Sequence, residues 1–292
     1  MRVILQQETT FTATFGDRAV YGLARETWHR MDRLTDAQGR ELFLFEGKMI
    51  DGTPSLLRAL GLLKTEPVFI RVLARTLPNG THVPEFYVAQ RKASKGDDGK
   101  IVIDADRAPW VNINYLDAIK ACEATGQKLL TGEQALSIAL DIAEQDINWT
   151  GGKVGEGVVY QGLHLGTVRG PQVGTYESPH AEERRWHQLS TGERIWDFSG
   201  HVFEWMRDTF HGGENGVLPA SGLPANSPYL TVPPFPICKQ GMGWQPDGAR
   251  DWSGGALVRG GFWYSGDDAG LFRLLYWYPQ RENGVVGFRC TL

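Results

Sequence analysis

The chain has 292 residues, 41% hydrophobic and 22% charged, which is ordinary globular usage, enough for one large or two modest domains, and argues against whole-chain disorder. A formal net charge of -4 supplies no broad basic surface and so disfavours a general nucleic-acid binder. The apolar run in "MRVILQQETT" is too short for a signal peptide and no segment approaches the roughly 18 apolar residues of a membrane helix, so the expected location is the cytoplasm or a phage particle, with no membrane span.

Residues 1 to about 65 read as a small N-terminal domain whose role is not legible. Alternation in "TFTATF" and "ELFLFEG" predicts short strands, and "TPSLLRALGLL" predicts a helix capped by Thr53. From residue 66 to 292 a second domain follows. "EPVFIRVLARTL" predicts a buried strand, "VPEFYVAQRKAS" another, and the polar "KGDDGK" a surface turn. In "NYLDAIKACEATG" the apolar residues Tyr115, Ala118, Ile119 and Cys122 recur at helical spacing, with Asn114 placed to cap the start and Gly126 to end it. Thr131 and Gln134 form a capping-box pattern ahead of the stripe Leu136, Ala139, Leu140 and Ile142. Beyond Asn148 the helical period vanishes. With 36 Gly and 10 Trp in the chain, this half reads as ordered loops and short strands, an α+β fold with two helices.

Chemistry-bearing clusters are sparse. Cys122, Cys238 and Cys290 match no zinc spacing, and an odd count argues against a disulfide scaffold; they read as small buried hydrophobes. His180 and His187, or His201 and His211, lack compact metal-ligand spacing, so no metal is expected. Asp247, Asp251, Asp267 and Asp268 form no calcium loop pattern; structural calcium is conceivable in kind but not predicted, and no cofactor is. Glu204 and Asp208 in "FEWMRD" read as structural, Glu204 as a tether to a neighbouring strand, with Arg259 and Arg289 as further tethers.

Four ordered segments, "APWVNINYLDAIKACEATG", "GQKLLTGEQALSIAL", "WDFSGHVFEWMRDTF", and "LVRGGFW" with "VGFRC", resemble the formylglycine-generating-enzyme (sulfatase-modifying factor) branch of the C-type lectin fold. Two departures stand inside the third: His201 where that family has Asn, and Phe203 where it has Trp. An Asn would tie down the turn through its side chain, and His is expected to do so less readily. The oxidase members carry a cysteine pair in the loop before the final strand, and the interval from Tyr264 to Val286 holds none. The resemblance therefore implies a chain that is not an enzyme, the alternative being a catalytically altered oxidase or sulfur-transfer relative.

Within that fold the chain resembles the variable proteins of diversity-generating retroelements, in which a C-terminal region, here about 258 to 290, presents varied residues on a fixed skeleton. The skeleton would be Arg259 to Gly261, Trp263, Ala269 to Leu274, Arg281 and Val286 to Cys290. The hypervariable, ligand-binding positions implied are Phe262, Tyr264, Ser265, Gly266, Asp267, Leu275, Tyr276, Trp277, Tyr278, Asn283, Gly284 and Val285. Randomised adenines in Asn-type codons reach all of these residue types except Trp277. Tyr and Trp give stiff contact area and Ser, Gly, Asn and Asp adaptable hydrogen bonding, so the implied partner is a protein or other macromolecule. The competing reading is that the aromatics fill a loop-rich core. Tyr264, Tyr276 and Tyr278 are expected to be exposed, over Trp263 and Phe272 as scaffold.

Overall fold

The structure is a computed structural model that describes the backbone of residues 2–6, 28–35 and 41–47, and the full chain over 68–230 and 239–292. Chain contacts divide it into two units, Met1–Glu66 and Pro67–Leu292.

In the first unit, β1 (Arg2–Gln6), β2 (Trp28–Thr35) and β3 (Glu41–Gly47) form an antiparallel sheet in the order β1-β3-β2. The alternating "ELFLFEG" is its central strand, paired Val3↔Phe45 on one side and Arg33↔Phe43 on the other. The expected strand at "TFTATF" and the helix starting at Thr53 lie outside the described residues.

The second unit is loop-rich, with two helices and short, mostly antiparallel strands among its described residues. The expected single buried strand is instead β4 (Phe69–Val72), a break, and β5 (Arg75–Thr76), which pairs with β6 (His82–Val83). Alternate residues of β4 are buried, because only one of its faces meets the core. Next come β7 (Phe86–Ala89), and β8 (Ser94–Lys95) paired with β9 (Ile101–Val102) across the "KGDDGK" turn.

Helix α1 (Tyr115–Glu123) begins where Asn114 Oδ1 accepts the Asp117 amide at 2.9 Å and buries Tyr115, Ala118 and Cys122. Gly126, at φ 72°, turns the chain toward β10 (Lys128–Leu129). The capping box of α2 (Gly132–Ala143) is closed by both of its bonds, Gln134 N–H to Thr131 Oγ1 at 3.2 Å and Thr131 N–H to Gln134 Oε1 at 3.0 Å. The predicted stripe understates α2, which is buried over almost its whole surface and carries Glu133, Ser137 and Asp141 inside with it. Asp141 accepts the Ser190 amide and hydroxyl at 3.0 Å each.

After the hairpin of β11 (Trp186–Gln188) and β12 (Arg194–Trp196), the central sheet is built from β13 (Phe203–Met206), β14 (Ala256–Arg259), β15 (Leu274–Trp277) and β16 (Val286–Phe288). Its order is β15-β14-β13-β16, antiparallel except for the parallel pair β13 and β16. The last strand, β17 (Cys290–Thr291), leaves this sheet and pairs between β10 and β7, with β4 beyond, so the end of the chain closes a second sheet. Two apolar clusters lie on opposite faces of the central sheet. Met206, Leu257 and Leu274 join α2 in one; Phe203, Trp205, Val258, Val286 and Phe288 join α1 in the other.

A candidate ligand-presenting face on a buried ionic frame

The C-terminal segments are held from below by Glu204, which faces Arg259 across the β13/β14 register and is fully buried. Its Oε1 accepts from Arg289 Nε and Nη2 at 3.0 and 2.8 Å and from Lys92 Nζ at 2.7 Å, and its Oε2 accepts from Arg259 Nη1 at 3.2 Å. Burial alone pushes the Glu204 carboxyl up, but Arg289, Lys92 and Arg259 more than offset this and bring it down to about 2. Burial pulls Lys92 down to about 8 and Arg259 down to about 9, with Glu204 opposing both. Carbonyls take the remaining guanidinium hydrogens of Arg289, on Ala89, Gln90 and Trp196, and Arg259 also donates to Phe198 O. One carboxylate thus joins residues from four segments, which makes Glu204 a tether with no open path for acid-base chemistry.

A second buried knot positions the turn above it. Asp197 takes two parallel bonds from Arg185 at 2.7 Å, and its carboxyl lies well below the usual range: burial alone would raise it, but Arg185 and His201 outweigh that. His201 sits at φ 73°, fully buried, and its Nε2 accepts the Gln172 amide at 2.8 Å. The proton must then be on Nδ1, aimed at Asp197 Oδ2 3.1 Å away. Burial lowers His201 and keeps it neutral. Expected to hold this turn less readily than Asn would, His201 bonds to two segments at once, through the Gln172 amide and Asp197. The backbone continues the frame, with His201 N–H bonded to Leu163 O at 2.7 Å and Trp263 N–H to His201 O at 3.0 Å.

Upon this frame the twelve implied binding residues separate into groups. Tyr264 is 73% exposed and Asp267 is exposed, on a turn closed by Phe262 N–H to Ser265 Oγ at 2.9 Å; Ser265 and Gly266 are half-buried within it. The Tyr264 ring lies on Gly166, whose φ is 75° and where a Cβ would come within 2.7 Å of the ring. Gly166 N–H bonds Trp263 O and Gly266 N–H bonds His164 O, so two loops are laced together beneath Tyr264.

Phe262, Leu275, Trp277 and Val285 are half-buried against the cluster that contains α1, with Phe262 stacked on Phe203 at 5.7 Å. Tyr276 points to the opposite face, because neighbouring residues of a strand alternate sides. Expected to be exposed, it is half-buried, stacked on Trp252 at 5.0 Å and 26°. Tyr278, 53% exposed, meets it edge-on at 6.0 Å. Asn283 and Gly284 form the half-buried turn into β16, where Asn283 Oδ1 accepts the Val285 amide at 2.9 Å. Phe272 is buried and Trp263 half-buried. Of the twelve, Tyr264, Asp267 and Tyr278 are exposed and the rest half-buried, and Tyr264 and Tyr278 are the two exposed aromatics.

Sequence reasoning missed the loop of residues 164 to 167 that supports Tyr264. Glu183, buried, accepts the amides of His164 and Leu165 and the hydroxyl of Thr167, each at 2.7 Å, and so sets the path of residues 164 to 167. Leu165 stands exposed beside that path. A single Glu inside "HAEERRW" carries no mark in the sequence that distinguishes it from its neighbours.

Among the described residues no three His, Cys, Asp or Glu side chains converge as metal ligands. His187 is buried, donates from Nε2 to Tyr160 O at 2.7 Å and is pulled by burial down to about 3. Asp247 pairs with Arg250 at 2.7 Å and Asp268 with Arg273 at 3.3 Å. Asp208 and Glu204 have separate partners. Asp208 Oδ1 faces His211 Nδ1, and His211 Nε2 faces Ser227 Oγ, each at 3.0 Å, the order of a nucleophilic relay. Ser227, however, is buried and its Oγ also takes the Tyr229 amide at 3.2 Å, so the chain of bonds fastens the loop after β13 to the turn at Ser227.

No protein-family model and no curated protein matches the chain. Similar solved structures include the Major Tropism Determinant P3c, M1 and U1 variants, at 15%, 13% and 15% identity with TM-scores of 0.35, 0.38 and 0.36. Each similarity covers 70% of this chain, which spans about half the length of the solved structures it matches.

Proposed function

We propose that residues 66 to 292 form a C-type lectin fold domain of the formylglycine-generating-enzyme type, and that it acts as a non-enzymatic binding protein diversified at its C-terminal face. Residues 1 to 65 would be a separate domain. The observation that carries this reading is the contrast between Tyr264 and Tyr278, aromatic and largely exposed, and the fully buried ionic frame a few residues away on either side. Large exposed aromatics on a rigid support suit recognition of a macromolecular partner by shape, with a protein as the favoured class. The buried frame explains how neighbouring positions can change without loss of the fold.

The most direct test is in the DNA beside the gene. A near-duplicate of the codons for Val258 to Cys290, differing at template adenines and next to a reverse transcriptase, is expected. Its absence would remove the diversification and leave the fold proposal standing. At protein level, an altered oxidase or sulfur-transfer enzyme would take up copper or iron in stoichiometric amount, whereas the purified binding protein is expected to take up neither.

A further inference from the structure

Between α2 and the break that separates β4 from β5 lies a cavity of about 190 Å³, lined by residues 72–75, Ser137, Asp141 and Ser190. That is several times the ~30 Å³ that one water occupies in the liquid, so the cavity admits a small organic molecule. Leu73 and Ser190 are exposed whereas Ser137 and Asp141 are buried, so it runs from the surface down to the helix. Ser137 and Asp141 are one turn of α2 apart and share one face of it. Two features of this floor are out of balance. Ser137 is fully buried and its Oγ has no hydrogen-bond partner among the described residues, which is destabilising unless something in the cavity bonds to it. Asp141 is buried too, and the donors it accepts from, the Ser190 amide, the Ser190 hydroxyl and Gln145 Nε2, are all neutral. The cation on the cavity wall, Arg75, is held by Glu144 in two parallel bonds at 2.7 and 2.6 Å. Burial accordingly holds the Asp141 carboxyl above its ordinary range, in spite of Ser190 and Arg75. The floor thus carries one negative charge without an ion-pair partner among the described residues, beside one unpaired hydroxyl.

We propose that this cavity binds a small organic cation bearing a primary ammonium, which donates to the Asp141 carboxylate and to Ser137 Oγ. An ammonium brings one positive charge and three N–H donors, and both are what the floor lacks. The ligand's short carbon chain then lies along Val72. A quaternary ammonium has the charge but no N–H, and a diol has donors but no charge, so neither matches both features. A hard metal ion takes about six or more oxygens, whereas the side chains of this cavity offer one carboxylate and two hydroxyls. None of the lining residues belongs to the segment from 258 to 290, so the site stands apart from the reading of that segment as a binding face.

The test is to titrate the full chain at neutral pH with ethanolamine hydrochloride and follow amide NMR shifts, with ethylene glycol, choline chloride and potassium chloride as matched probes. Ethanolamine is expected to shift the amides of Ser137, Asp141 and Ser190 and to saturate with a Kd on the order of 1 mM, the range open to four heavy atoms. Ethylene glycol and choline should bind at least about tenfold more weakly, the loss expected when a charge or a charge-assisted hydrogen bond is missing, and potassium should leave these amides unmoved. Asp141→Asn keeps an acceptor for Ser190 and should weaken ethanolamine by about tenfold or more. Because that variant could fail to fold, Ser137→Ala is the companion. It removes the unpaired hydroxyl, so its thermal midpoint without ligand should be no lower than that of the wild type, while its affinity for ethanolamine falls by about tenfold. No saturable shift in the folded wild-type protein, equal binding of ethylene glycol or potassium, or a folded Asp141→Asn or Ser137→Ala that binds ethanolamine as the wild type does would each overturn the proposal.

Discussion

The region around Glu204 and the region around Tyr264 are neighbours built on opposite physical terms. Around Glu204 every charge is buried and almost every donor has a named acceptor, so a change at one atom leaves others uncompensated. Around Tyr264 the side chain projects into solvent, and what is fixed is the backbone beneath it: the Ser265 hydroxyl on the Phe262 amide, and the two loop bonds at Gly166 and Gly266. The lesson is that a presented residue can be stabilised through its backbone alone, leaving its side chain free to vary. Tyr276 and Tyr278 repeat the contrast two residues apart, one stacked on Trp252 and the other standing beyond the strand.

The largest break of that contrast is at the carboxylate. Glu204→Ala leaves Lys92, Arg259 and Arg289 buried without their shared anion and is expected to cost about 3–5 kcal/mol, measured by urea unfolding, or to prevent folding. Acid acts on the same group. With the Glu204 carboxyl lowered from 4.5 to about 2, its contribution is complete above about pH 4.5 and is lost as pH falls toward 2. His187, lowered from 6.5 to about 3, adds to the loss over the window from 6.5 down to 3, because the unfolded imidazole takes up a proton that the buried one refuses. A stability curve that is flat between pH 6.5 and 2 would contradict both assignments. At the alkaline side Lys92, lowered from 10.5 to about 8, works the other way: the unfolded chain binds more protons between those values, so its contribution grows with pH.

Gly261 marks the boundary between the two regions. It lies at φ 94°, and a Cβ there would come within 2.8 Å of Ala269 Cα, so Gly261→Ala is expected to cost about 1–3 kcal/mol in thermal or urea unfolding. Within the presented segment the effects shrink further. Tyr276→Ser removes the stack on Trp252 and should cost about 0.5–1.5 kcal/mol beyond any loss of buried area. Tyr264→Ser and Tyr278→Ser should each stay within about 0.5 kcal/mol. If Tyr276→Ser were as silent as the other two, the division between half-buried and presented aromatics would fail; if Tyr264→Ser proved as costly as Glu204→Ala, the presented region would be core.

The helices and their caps were legible because their causes are local. Asn114, Thr131 and Gln134 act on amides three residues away, and those distances are visible in sequence. The tether role of Glu204, Arg259 and Arg289 could be suspected from their setting between glycines and aromatics, but Lys92 had no such mark. Its partnership with Glu204 spans 112 residues and depends on β7 and β13 being brought together. The exposure of the tyrosines was legible only in part. Tyr276 and Tyr278 are equivalent by composition, and what separates them is where β15 ends and which face of it Trp252 covers.

By itself the sequence determined the composition of the presented segment, the capped helices, the flexible turns its glycines permit and the lack of a cysteine pair between Tyr264 and Val286, since each of these is a property of residues close in the chain. Tertiary structure alone decided that Glu204 gathers three cations, that Gly166 supports Tyr264 and that the faces of β15 divide the aromatics. These outcomes rest on strand register and on the β17 crossover, and register is settled by burying a whole face at once, a sum over distant residues that no short stretch contains.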